Sequence, residues 1–268
     1  MPYFRTEDGC RLYYEAFGMD AQNPVIVFLN GTLQTTVHWT SQVRHFQESY
    51  RILLYDGRAQ GRSDLGKKPL GIEVHAADLY ALMQYLNVTK ANLVGLSHGA
   101  GVALAVAEQC PETVERLALC SIADVPSARA MITLKSWRKI LIAGGLEAAA
   151  WAVLPAVFGE VYLANSRKIH SKIVKAMVLR NRPDSLLAHL EAMSTYPSPA
   201  RLVDVNRRPT LVISGPQDPL VSMEGAKRLA DQCQGTHHLI PGVGHTVPLE
   251  SPDHFNRLLE AFLSANGS

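Results

Sequence analysis

Hydrophobic and polar positions change their period several times along the chain. Residues 3–6 and 11–16 alternate apolar and polar around Glu7-Asp8-Gly9, where Asp-Gly supplies the positive φ of a tight hairpin, so the chain is predicted to open with an antiparallel pair. Val25-Ile26-Val27-Phe28-Leu29 is a continuous apolar run, the pattern of a strand covered on both faces, and it breaks at Asn30-Gly31-Thr32. Trp39, Val43 and Phe46 then fall at helical spacing, and residues 51–56 read as a second buried strand. A turn-rich loop, residues 57–64, precedes an amphipathic helix marked by Val74, Leu79, Leu82, Met83 and Leu86 and ending near Asn87. Asn92 to Leu96 is a third buried strand, followed at once by the small-residue helix that begins at Ala100. Pro111 stops that helix, and residues 114–120 lead back into the sheet.

From about Asp124 to Asn206 the strand signal disappears. This segment is predicted to form several helices broken by Pro126, Gly144-Gly145, Pro155, Pro183, Pro197 and Pro199. It holds more apolar side chains than a surface excursion needs, so most are expected to pack on one another and a few to line a pocket over the sheet. The sheet resumes over residues 209–215 and 237–240, with a helix near 225–232 between them and a last helix from about Pro252 to Ser264. Alternating strands and helices imply a mainly parallel sheet with helices on both faces, whose ligands collect at the carboxyl ends of the strands. The expected organisation is a core of residues 1–123 and 207–268 carrying an inserted helical cap, 124–206.

Composition narrows the classes of function. Hydrophobic residues are 47% and charged residues 19% of the 268, with a net charge of +2 and no long run of one sign, which argues against a nucleic-acid partner. The N-terminus lacks the apolar stretch of a signal peptide and no later apolar run reads as a membrane span, so a cytoplasmic protein with a small-molecule partner is expected. Cys10, Cys110, Cys120 and Cys233 form no Cys-x-x-Cys pair, and neither a zinc site nor a disulfide framework is expected. Nothing in the pattern assigns an oligomeric state.

The chemistry gathers at Gly95-Leu96-Ser97-His98-Gly99, a Gly-x-Ser-x-Gly between a predicted strand and a predicted helix. In such a nucleophile elbow the serine stands exposed on a strained turn, and the glycines remove Cβ atoms that would collide there. Ser97 is the candidate nucleophile. A serine hydroxyl needs a base, and the base an orienting acid. His245, in Gly242-Val243-Gly244-His245 after the last strand, is the candidate base, and Asp218, just past the preceding strand, the candidate acid. Asp124, after the strand ending at Cys120-Ser121, is a competing acid. Two backbone N–H groups are needed for an oxyanion, and Thr32 and His98 are in place to supply them. The His98 side chain is expected to pack or face the cleft. His237-His238 would face opposite sides of a strand, and His38, His45, His75 and His189 read as isolated surface or packed residues, so neither a metal nor a cofactor is expected.

With these residues in this order the chain resembles the α/β-hydrolase superfamily over nearly its whole length. Residues 56–63, Asp-Gly-Arg-Ala-Gln-Gly-Arg-Ser, are similar to that family's Asp-x-Arg-Gly-x-Gly-x-Ser loop. Asn30 stands where the family usually has His, and Ala59 where it usually has Gly. The resemblance implies a cofactor-independent serine hydrolase cleaving a small, partly apolar ester or lactone, as in esterases and enol-lactonases. Alternatives are an acyltransferase or thioesterase working on an acyl carrier protein or coenzyme A thioester, as Asn30-Gly31 with Thr35-Thr36 suggests by likeness to hydroxyacyl-transferring enzymes of rhamnolipid synthesis. A carbon–carbon bond hydrolase and a non-catalytic receptor of the same fold complete the set.

Overall fold

The computed structural model describes residues 2–203 and 208–265. Eight strands form one sheet in the order β1-β2-β4-β3-β5-β6-β7-β8: β1 (Tyr3–Arg5), β2 (Arg11–Phe17), β3 (Val25–Leu29), β4 (Arg51–Tyr55), β5 (Ala91–Leu96), β6 (Val114–Cys120), β7 (Thr210–Ser214) and β8 (Thr236–Leu239). The opening pair is antiparallel, with Tyr3 opposite Tyr13, and β2 also runs antiparallel to β4. Every other pairing is parallel. Gly9, at φ 83°, makes the expected hairpin turn.

Period two explains why β3 has no polar residue. Val25, Val27 and Leu29 point into one apolar layer, and Ile26 and Phe28 into the other. The first layer is closed by α2 (Ile72–Tyr85), α3 (His98–Gln109) and α8 (Met223–Gln232), with Leu79, Leu82, Ala103 and Leu229 buried there. The second is closed by α1 (Thr40–Phe46) and α10 (Pro252–Ser264), where Trp39, Phe46, Phe255 and Leu259 pack under the sheet. The short α9 (Val247–Glu250) leads into α10.

Between β6 and β7 lie α4 (Ala128–Val157), α5 (Glu160–Asn165), α6 (His170–Arg180) and α7 (Pro183–Met193). They share a third apolar cluster that includes Trp137, Leu141, Val153, Leu154 and Leu190 and reaches Leu33 and Leu220 at the sheet's edge. Pro183 begins α7 rather than breaking a helix, because a first-turn position has no N–H bond to lose. The return boundary expected at residues 206–207 lies outside the described residues. Contrary to the expectation that no apolar run reads as a membrane span, Ala128–Val157 has the length and composition to cross a membrane, with an 18-residue window of mean hydropathy 1.8. The helical path is nevertheless broken at Gly145 (φ 76°), and Trp137, Leu141, Val153 and Leu154 are buried in the third cluster.

Candidate active site

The candidate residues lie just beyond the carboxyl ends of neighbouring parallel strands. Thr32 follows β3, Ser97 follows β5, Asp218 follows β7 and His245 follows β8. The sheet order, not sequence proximity, gathers them.

Ser97 holds φ 54° and ψ −112°, outside the regions a side chain prefers, and its N–H donates to the Cys120 carbonyl at 2.8 Å. The flanking glycines permit this. A Cβ on Gly95 would sit 2.4 Å from the Gly99 carbonyl oxygen, and one on Gly99 would sit 2.3 Å from that of Leu29, so any side chain at either position would push strand and helix apart.

His245 Nδ1 lies 2.7 Å from Asp218 Oδ2, and since a carboxylate can only accept, Nδ1 carries the proton. The Asp218 side chain is fully enclosed and that of His245 is 8% exposed. The other carboxylate oxygen, Oδ1, accepts the backbone N–H groups of Leu220 (2.8 Å) and Val221 (3.1 Å), so the same aspartate closes its own turn and presents Oδ2 to the imidazole. Asp124 is engaged elsewhere: Arg228 donates to both its oxygens at 2.8 and 3.0 Å, and these bonds hold its carboxyl below the usual range.

The histidine loop is pinned by residues that sequence reasoning missed. Ser121 Oγ donates to the His245 carbonyl at 2.7 Å, and the His245 N–H donates to the Val157 carbonyl at the end of α4. Glu250 Oε2 accepts the N–H groups of Gly159 and Gly244 at 2.8 and 2.9 Å, while Oε1 accepts the N–H and hydroxyl of Thr246. A glutamate four residues after Thr246, at the end of the short helix that Thr246 precedes, was the available signal.

The loop after β3 is organised by Asn30. Its Nδ2 donates to the Tyr55 carbonyl (3.0 Å) and to Asp56 Oδ1 (3.2 Å), and its Oδ1 accepts from Trp39 Nε1 at 2.9 Å. An amide donates and accepts at one site, which is why it serves here. Asp56 also accepts from the N–H groups of Thr36 and Arg62, and burial pushes its carboxyl up to about 6 against the pull of those bonds. Gln34 and Gln60 bind the N–H and carbonyl of Gly31, leaving Thr32 at the head of the loop. Among the described residues neither the Thr32 nor the His98 backbone N–H donates to a protein acceptor, which leaves both free for a ligand.

Ser97, His98, Thr32 and His245 line one cavity of about 660 Å³. Its other walls are mainly apolar, among them Met131, Leu134, Trp137, Val157 and Met177 from the inserted helices, and among the described residues Arg180 is the one Lys, Arg, Asp or Glu on its surface.

Comparison with known proteins supports the fold. A family model described as the alpha/beta hydrolase fold matches residues 24–146. The structure superposes on the enol-lactonase from Burkholderia xenovorans LB400 with a TM-score of 0.89, at 26% identity over 98% of this chain and 100% of the other. The chain has the α/β-hydrolase fold. It is similar to an esterase as well: a thermophilic esterase from Thermogutta terrifontis matches with a TM-score of 0.86 at 25% identity, covering 98% of both chains. The 3-oxoadipate enol-lactonase 2 of Acinetobacter baylyi is 24% identical to this hydrolase, again over 98% of each.

The histidines read as isolated are not all so. In this hydrolase His75, His98 and His189 come together beneath the inserted helices, whereas His237 and His238 divide as expected, His237 meeting Ser214 Oγ at 2.7 Å.

Proposed function

We propose that this hydrolase cleaves a carboxylic ester or lactone with a largely apolar acyl part, through an acyl-enzyme on Ser97. The observation that carries the reading is the 2.7 Å contact of the enclosed Asp218 carboxylate with His245, whose imidazole shares one apolar cavity with Ser97. In the proposed mechanism the Ser97 hydroxyl attacks the carbonyl carbon as His245 Nε2 takes its proton. Asp218 keeps the tautomer and stabilises the imidazolium. The oxyanion accepts the N–H groups of Thr32 and His98, each worth about a hundred- to a thousand-fold in rate. His245 then protonates the leaving alkoxide, and a water deprotonated by His245 releases the acid and restores Ser97. The inserted helices act as the cap. A cavity of about 660 Å³ is within the range of drug-sized ligand sites and is far larger than an acetyl group needs.

The test is a series of aryl esters from short to long acyl chain, with small lactones and an acyl thioester, measured on wild type and on Ser97→Ala and His245→Ala. Turnover should fall by several orders of magnitude in both variants, and a fluorophosphonate should label wild type alone. Near-normal turnover by Ser97→Ala would overturn the assignment. Free acid as the product supports hydrolysis; an ester formed with an added alcohol points to transfer instead.

A further inference from the structure

His75 on α2, His98 at the first position of α3 and His189 on α7 form a cluster that the proposed reaction does not use through their side chains. Their exposures are 1, 6 and 1%, and their ring centroids lie 4.8 Å (His75–His98), 4.4 Å (His98–His189) and 5.9 Å (His75–His189) apart. The ring planes meet at 72–79°, edge to face rather than stacked. One nitrogen from each ring falls within 4.8 Å of the other two. Three nitrogens, His75 Nε2, His98 Nδ1 and His189 Nδ1, are buried without a hydrogen-bond partner. Packing alone would be served better by Leu or Phe, which bury no polar atom, so three unsatisfied imidazoles at one point form a donor set.

The surroundings keep those donors available. Burial disfavours the imidazolium and holds His75 down to about 3 and His189 down to about 4, with His98 well below its ordinary value; His189 adds to the effect on His75 and His98, and His75 to that on His98. Neutral rings present free lone pairs. His189 Nε2 lies 3.4 Å from Thr32 Oγ1, a contact that orients the ring from its far side, as outer partners do for ligating histidines.

We propose that His75, His98 and His189 bind one divalent late first-row transition ion, of the Zn²⁺ or Co²⁺ kind, which ties α7 to α2 and α3. Imidazole donors without a carboxylate suit these ions and not Mg²⁺ or Ca²⁺. A tetrahedral centre with bonds of about 2.0–2.1 Å sets its nitrogens about 3.3 Å apart, so the widest pair here closes by at most about 1.5 Å, within the reach of side-chain rotation. The ion is structural. It joins an inserted helix to the residue after the nucleophile, and through His189 it bears on Thr32. Only its effect on turnover rests on the function proposed above, since that reading makes Thr32 and His98 the oxyanion donors.

The full chain, stripped with a chelator and dialysed, would be titrated with Zn²⁺ and with Co²⁺ while bound metal, visible absorption and melting temperature are recorded. The expected result is one equivalent per chain, a tetrahedral Co²⁺ absorption band and a higher melting temperature. His75→Phe and His189→Phe should weaken binding by at least about a hundred-fold and abolish the metal-dependent rise in melting temperature. His189→Gln provides a gentler replacement should a phenylalanine variant fold poorly. Uptake below about a tenth of an equivalent by folded wild type overturns the proposal, and so does uptake that survives His75→Phe and His189→Gln unchanged. Metal uptake without Ser97-dependent esterase activity would remove the proposed function and leave the site; activity without uptake would do the reverse.

Discussion

The floor of the cavity and the helices above it are built on different principles. Each residue of the floor is held by short polar contacts and by places where a side-chain atom has no room: Ser97 between two glycines, Asp218 by two backbone N–H groups, His245 by Ser121 and Val157, Asn30 by three partners. The inserted helices are held to one another by a shared apolar cluster, and most of their polar ties downward come from helix ends and the turns between helices, among them Val157 and Gly159, Asn181 Nδ2 to the Leu33 carbonyl at 3.3 Å and Arg182 to the Ser63 carbonyl. They also expose Ile132, Ile142, Trp151 and Leu179. Directional bonds specify a geometry to a fraction of an ångström, whereas apolar packing accepts side chains of similar volume. Reaction chemistry should therefore be intolerant of change and substrate preference easy to move.

The largest effect should separate the two aspartates near the floor. Asp218→Asn keeps the shape but offers an amide to His245 and upsets its tautomer; kcat should fall by about 10⁴-fold with little change in fold. Asp124→Asn loses a bond to Arg228 and should leave kcat within a few-fold. Steady-state kinetics on one aryl ester decides, and equal losses would mean that the acid has been misassigned.

Next in size is the support beneath the floor. Arg58 is fully buried and donates to Asp78 at 2.8 and 2.9 Å and to Asp8 at 2.8 and 2.9 Å, joining the first hairpin, the loop after β4 and α2. Arg58→Leu strands the buried Asp78 and should cost about 3–5 kcal/mol in denaturant unfolding. The hydrogen bonds from Arg58 also hold Asp8 well below the usual carboxylate range. A carboxylate depressed in the folded state adds stability that is complete above its unfolded value, about pH 4, and is lost as the pH falls below it. Asp8→Asn should flatten the acid limb of the melting temperature against pH between about pH 4 and pH 2 and leave Ser97 chemistry intact. An unchanged limb would show that Asp8 is not linked to folding.

The inserted helices should answer differently. Leu134 is half-buried and lines the cavity, so Leu134→Phe takes up space where an acyl chain would lie. The ratio of kcat/KM for long over short acyl esters should drop about 10-fold or more, as a few methylenes of pocket are worth, while the rate on the shortest ester stays within a few-fold. A uniform loss across the series would mean that these helices hold the catalytic geometry itself, and would erase the contrast.

The same contrast decides what could be read in the sequence. Strand ends and the chain order of Ser97, Asp218 and His245 were legible because a parallel sheet leaves its functional residues after its strands, and apolar runs mark strands well. Asn30 was read as a departure from His and as part of a likeness to hydroxyacyl-transferring enzymes, but not as the organiser of its loop, because that role depends on Trp39, Tyr55 and Asp56 meeting around one amide. Ser121 acts on a backbone carbonyl and Glu250 mainly on backbone N–H groups, which carry no residue-specific signature, so the spacing of Thr246 and Glu250 was the one local sign. In α4, which supplies much of the cavity wall, the apolar positions run almost all round, so the cavity-facing side does not stand out from periodicity. His75, His98 and His189 lie on three helices whose convergence no local spacing announces.

The smallest effect tests the other departure from the family loop. Ala59 sits at φ 64°, the left-handed region where glycine is usual, with its N–H bonded to the Asp64 carbonyl at 2.9 Å. A Cβ there costs about 1–2 kcal/mol in the folded state, while glycine costs about 0.5–1 kcal/mol more to order from the unfolded chain. Ala59→Gly should therefore stabilise the protein by about 0.5–1 kcal/mol, seen as a small rise in denaturant midpoint at unchanged slope. Ala59 is 5% exposed, so its methyl group makes packing contacts that glycine would forfeit. A fall in the midpoint would show that this packing outweighs the backbone strain, and that the loop under the floor tolerates a strained residue because burial around it offsets the cost.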